Sequence, residues 1–203
     1  MTNIADSPSS QTPTSTDAVG DGGPVGAVRA LLVAAGAGAA VSLSLGVYAT
    51  RHEPTFHGIF AFGFPAVLPM KAWFTTIAAA LALLQLGSAL WMWGRLPIHA
   101  AAPAWIGAAH RWLGTAAFVF TLPVAYHCLW ALGFNDTDVR VLAHSLLGCL
   151  FYGIFTSKML LLRSERAPGW SLPVAGGLLF TVLVALWMTS SLWWFSTSGF
   201  PGV

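Results

Sequence analysis

Three histidines, His110, His127 and His144, fall in stretches apolar enough to enter a bilayer. Ionisable side chains are costly at membrane depth and mark a pathway or a cofactor there. His127 and His144 flank the turn FNDTD, nine residues before and eight residues after Asp136. On antiparallel helices rising about 1.5 Å per residue, these two rings reach similar depths. Two imidazoles at one depth on neighbouring membrane helices supply both axial ligands of a b-type haem.

The companions of these residues suit that chemistry. His144 opens HSLLG and His110 opens HRWLG, which puts Gly148 and Gly114 one turn along the same faces. Glycine lacks the Cβ that would keep a flat macrocycle off the backbone. Pro123, four residues before His127, is expected to bend its helix or free a carbonyl. Arg140 lies one turn outward of His144, where a guanidinium can pair with a haem propionate.

His110 and His127 are seventeen residues apart, about 25 Å and about 100° around an ideal helix. They cannot share one haem. A second haem at His110 would need His99 or a non-histidine ligand; otherwise His110 and Arg111 can serve a quinone head group.

Other candidates are weaker. His52 and His57 lie in RHEPTFHGIFAFGFPAVLPMK, whose aromatic part dips into the membrane to shape a quinone pocket, packs over the outer haem, or rests on the interface with solvated histidines. As a metal pair they lack a third ligand of any recognisable pattern. Cys128 and Cys149 sit in apolar runs and read as buried thiols rather than a disulfide. Gln85 reads as an interhelical hydrogen bonder, and Lys158 as a snorkelling cation. There is no HExxH, GxSxG or Walker loop and no paired membrane carboxylate.

These residues must be positioned by membrane helices. The 203 residues are 56% hydrophobic and 8% charged, with mean hydropathy +0.71. Soluble domains carry about 25% charged residues. A net charge of +2 gives no reason to expect nucleic acid as a partner. Residues 1–24, rich in Ser, Thr, Pro and Gly, read as a disordered polar tail without the basic region of a secretory signal. Residues 25–203 read as an all-α transmembrane domain, with five spans near 26–49, 71–94, 105–133, 139–162 and 172–195.

Lys and Arg placement orients the bundle. With the N-terminus cytoplasmic, Arg29, Arg95, Arg111, Lys158, Arg163 and Arg166 lie inside, and Arg51, Lys71 and Arg140 outside. Trp91, Trp93, Trp105, Trp112 and Trp170 then fall near the inner interface, and Trp73, Trp130, Trp193 and Trp194 near the outer one. The Gly- and Ala-rich first span permits close helix approach.

HRWLGTAAFVFTLPVAYH followed by HSLLGCLFYGIF resembles the transmembrane haem domains of cytochrome b561 and ferric-reductase-like proteins, over roughly residues 105–160. The likeness extends to small bacterial membrane proteins of that kind. It implies haem b held by His127 and His144, with His110 matched less closely, and a multi-pass protein of the bacterial cytoplasmic membrane. A two-haem domain of that type uses four intramembrane histidines, one more than can be placed here.

The expectation is thus an electron-transfer protein or quinol-linked oxidoreductase, linking the quinone pool to a redox partner on the outer side. A non-enzymatic anchor or assembly subunit is the alternative. A copper-handling transporter fits less well, because the five methionines do not cluster.

Overall fold

The computed structural model describes residues 23–97 and 101–199. The expected polar tail therefore lies almost wholly outside the described residues, as does His99. The described chain is all-helical, with five helices long and apolar enough to cross a membrane. They are α1 (Pro24–Arg51), α2 (Val67–Met92), α3 (Ile106–Tyr126), α4 (Val139–Arg163) and α5 (Ser171–Trp187). A π-helical turn, His127–Leu132, continues α3; another, Met188–Leu192, joins α5 to a short α6 (Trp193–Ser198).

In lipid the backbone must satisfy its own hydrogen bonds, so the apolar runs wind into helices. Their ends follow from local chemistry. Pro24, lacking an N–H, opens α1 at no cost. Asp138 caps α4, its carboxylate accepting from Val141 N at 2.9 Å, worth about 1 kcal/mol. Gly133, at φ 68°, terminates the π turn after α3. From there the Phe134 N–H reaches the Ala49 carbonyl at the end of α1, 2.9 Å away.

α2 packs on α3 and α5, and α4 packs on α5 and α1. Four helices thus form a ring, with α1 outside it against α4. Gly38 of α1 and Gly153 of α4 lie so close that a Cβ on either would overlap the other's carbonyl. Ser157 Oγ donates to Ala34 O across the same contact at 2.9 Å. Small residues achieve this because dispersion, rather than water exclusion, drives helix association in lipid.

α3 and α4 meet through side chains rather than through close backbone packing. Phe118 stacks on Phe155 at 4.0 Å, and Tyr152 OH donates to Thr121 O at 3.1 Å. Phe151, Val182, Leu183 and Leu186 fill the ring's centre beside Ala82. Beyond them, towards the α3–α4 turn, the ring is open inside. In the orientation predicted by the loop charges, that end is the outer one.

Candidate functional site

A cavity of about 320 Å³ occupies the outer half of the ring. α3 contributes Thr121, Val124 and Cys128 to its wall, and α4 contributes His144, Gly148, Cys149 and Tyr152. Lys71 and Thr75 of α2 face it, as do Leu183 and Leu186 of α5. The walls are mainly apolar, and no Asp or Glu is among the lining residues.

The three membrane histidines are held in the same way. His127 Nδ1 lies 2.8 Å from Pro123 O, which can only accept, so Nδ1 carries the proton. His144 Nδ1 lies 3.0 Å from Thr189 Oγ1. That hydroxyl also lies 2.8 Å from Ala185 O and 3.1 Å from Leu186 O. His110 Nδ1 lies 2.8 Å from Ser88 Oγ, which is also 2.9 Å from Gln85 O. At His127, where the partner is a carbonyl, the proton on Nδ1 leaves Nε2 as the ring's second site, the one a metal-ligating histidine uses.

Their surroundings differ. His127 is 1% exposed, and its Nε2 is buried without a hydrogen-bond partner. Its ring meets Phe60 edge-on at 4.9 Å and lies beside Gly58. It is not among the residues lining the cavity, whereas His144 is. Cys128, in the π turn that continues α3, takes the inward position and lines the cavity with His144 and Lys71. The two histidines predicted to act together therefore sit at the same end of the ring but face different spaces.

The expected role of Gly114 is corrected by its packing. A Cβ there would overlap the Gln85 side chain, whose amide donates to His110 O at 2.9 Å. The glycine makes room for an α2–α3 hydrogen bond, not for a macrocycle. Gln85 is the interhelical bonder its sequence context predicts. Gly148 differs: it lines the cavity, and a Cβ on it would meet nothing within 4 Å.

Arg140 is engaged by protein. It donates to Thr189 O at 2.8 Å, pairs with Asp138 at 3.8 Å and lies 4.0 Å above the Trp193 ring. It does not line the cavity. Instead it fastens α4 to the π turn and α6, which also fixes Thr189 beneath His144.

The first loop closes over this end. Thr55 N and Phe56 N donate to Trp130 O and Ala131 O, at 3.5 and 3.0 Å. Phe56 and Phe62 adopt left-handed backbone, at φ 55° and 47°, a conformation costly for an aromatic residue. His52 is half-buried between Tyr48, at 5.2 Å, and Trp130, at 4.4 Å. His57 is exposed. The loop's aromatic part thus packs on His127, and its two histidines divide between the alternatives.

Among the described residues, the buried side-chain polar atoms without partners are His52 Nε2, Thr55 Oγ1, His127 Nε2 and Ser191 Oγ. All four belong to the outer end. Each such atom calls for an explanation. Both π turns, elements frequent at functional sites, lie there too. No cluster of three or more His, Cys, Asp or Glu side chains able to hold a metal ion occurs among the described residues. Both cysteines are free.

The site residues that sequence reasoning missed are Lys71 and Cys128. Lys71 stands at the start of an apparent span, where it reads as an interfacial charge. Cys128 reads as an inert core thiol. The signal available for both was helical phase: residues 121, 124, 125 and 128 form one face of α3, and that face is turned to the cavity.

No curated protein and no solved structure matches this chain. One family does, over residues 31–202, which takes in most of α1 and all of the other four membrane helices. The chain belongs to DUF6529, a family of unknown function.

Proposed function

We propose that this is a b-type-cytochrome-like membrane protein, carrying electrons between the quinone pool and a redox partner on the outer side. Its haem is held by His127 and His144, with the N-terminus on the cytoplasmic side of a bacterial membrane. The observation that carries the reading is the placement of these imidazoles: Nδ1 of each lies against a fixed oxygen, which turns Nε2 away from that contact. The buried, unpartnered Nε2 of His127 is the strongest instance. The donor chemistry fits a haem iron, and the open face of Gly148 leaves room beside His144; for both rings to share one iron, His127, which packs on Phe60 and does not line the cavity, must turn inward.

Bound there, haem would supply a one-electron couple. The chain's own residues do the rest. Pro123 O holds His127 in the ligating tautomer, and Thr189 Oγ1 fixes the orientation of the His144 ring. Arg140 anchors the turn that carries Thr189. Phe60 and the loop behind it shield His127 from water, and exclusion of water is one lever on redox potential. His110, bonded to Ser88 and Gln85, ties α2 to α3 at the inner end.

The test is haem content in single variants of the purified protein. His127→Ala and His144→Ala are each expected to lose the haem, whereas Cys128→Ser keeps it. Haem at wild-type stoichiometry in both histidine variants would overturn the assignment.

A further inference from the structure

Lys71 is the cation of the cavity. α2 starts at Val67, so Lys71 lies one turn inside the helix rather than in the preceding loop. It is half-buried and lines the cavity together with Cys128. The salt bridge between Arg140 and Asp138 involves neither Lys71 nor the cavity, and no carboxylate lines the wall. A half-buried ammonium among apolar walls favours an anion, and among the lining residues no carboxylate supplies one.

The remaining lining describes what that anion must be attached to. Around Lys71 stand Thr75 and, towards the mouth, Asn135 and Ser145; deeper in, the walls are Leu183, Leu186 and Phe151. A volume of about 320 Å³ falls at the lower end of the roughly 300–1,000 Å³ usual for small-molecule sites. Such a space takes one acidic head and an apolar body that extends between helices. A freely hydrated anion would gain nothing from the apolar walls. A neutral lipid would leave the ammonium unpaired.

We infer that the cavity is a receptor for a carboxylate-bearing lipophile, with the acid group received by Lys71. Two sources carry that chemistry: a haem propionate and the carboxylate of an acyl chain. With the first, the inference rests on the electron-transfer reading and moves the propionate contact from Arg140 to Lys71. With the second, it stands without that reading.

The experiment compares acid and ester forms of each ligand on the full chain in detergent. Haemin is set against its dimethyl ester, and palmitate against methyl palmitate, with binding followed by absorbance and by quenching of intrinsic tryptophan fluorescence. In the wild-type protein the acid should bind at least about tenfold more tightly than its ester in one of the two pairs, the scale of a charge-assisted hydrogen bond. Lys71→Gln should abolish that preference, and Lys71→Arg should restore it. Preference for haemin assigns the propionate. Preference for palmitate without haemin binding assigns the acyl chain and removes the electron-transfer reading while leaving this inference intact. Equal binding of acid and ester in both pairs, no binding of either acid, or a preference that survives in Lys71→Gln would overturn it. Should Lys71→Gln fail to fold, the wild-type comparison alone decides.

Discussion

A neutral imidazole carries one proton and one lone pair, and its neighbours decide which nitrogen keeps each. At His144 the decision passes through Thr189, whose hydroxyl lies 2.8 Å from Ala185 O and, when its proton is given there, accepts from Nδ1 at 3.0 Å. Thr189→Val removes that acceptor while keeping the side chain's shape. On the proposed function it should weaken haem retention about 10- to 100-fold, the usual cost of losing a partner behind a ligand, as measured by haem titration of the purified variant. At the inner end the arrangement is one of packing. Gly114→Ala should destabilise the protein by about 1–3 kcal/mol, because the new Cβ overlaps the Gln85 side chain. Thermal unfolding in detergent reads this loss, and Gln85→Ala in the same chain should recover part of it. Unchanged stability in Gly114→Ala would contradict the packing account. The residue scale is also where the sequence was least legible. Counting residues from the turn correctly brought His127 and His144 to one end, because rise per residue is nearly constant. It could not say which of His127 and Cys128 faces inward. Neighbouring residues are about 100° apart on a helix, and the π turn beginning at His127 shifts the phase of everything after it.

The helices themselves were legible to within a few residues, since a run of about 20 apolar residues has few other fates. Even so, the misjudged start of α2 had a consequence. Placing it at 71 instead of 67 left Lys71 at the interface, whereas one further helical turn brings it to the cavity. The π turn after α3 left no sequence signal beyond Pro123, because its carbonyls depend on donors supplied from elsewhere: Trp130 O and Ala131 O accept from Thr55 N and Phe56 N of the first loop. The Gly- and Ala-rich character of α1 did announce close packing, and it is concentrated where α1 crosses α4. Gly38 is pressed against Gly153 and Ser157, while Gly36 has open space where a Cβ would stand. Gly38→Ala should therefore lower the unfolding midpoint. Gly36→Ala should leave it unchanged or raise it slightly, by up to about 1 kcal/mol from helix propensity. The same response from both variants would show that α1 is not held to α4 by this contact.

The described residues form a ring of four antiparallel helices with α1 outside it, filled at the inner end and hollow at the outer one, where Leu45 and Ala49 of α1 also line the cavity. Aromatic and aliphatic side chains close the inner half: Phe118 on Phe155, and Phe151 among Val182, Leu183 and Leu186. The outer half holds the cavity, the two π turns, His127, His144 and Lys71. This division gives the orientation a functional meaning, for it sets the side on which a redox partner would dock. In a background with Cys128 and Cys149 replaced by serine, a cysteine at Asn135 should react with membrane-impermeant maleimide in intact cells, and one at Ser164 only after lysis. The reverse pattern would invert the topology and with it the side of the partner. Above this stands the question of whether the chain holds haem at all. The most direct measurement is the dithionite-reduced minus oxidised absorbance spectrum of the purified protein, expressed with ample haem supply, with haem quantified per chain. The account predicts a low-spin b-type spectrum at one haem per chain. A colourless protein would contradict it.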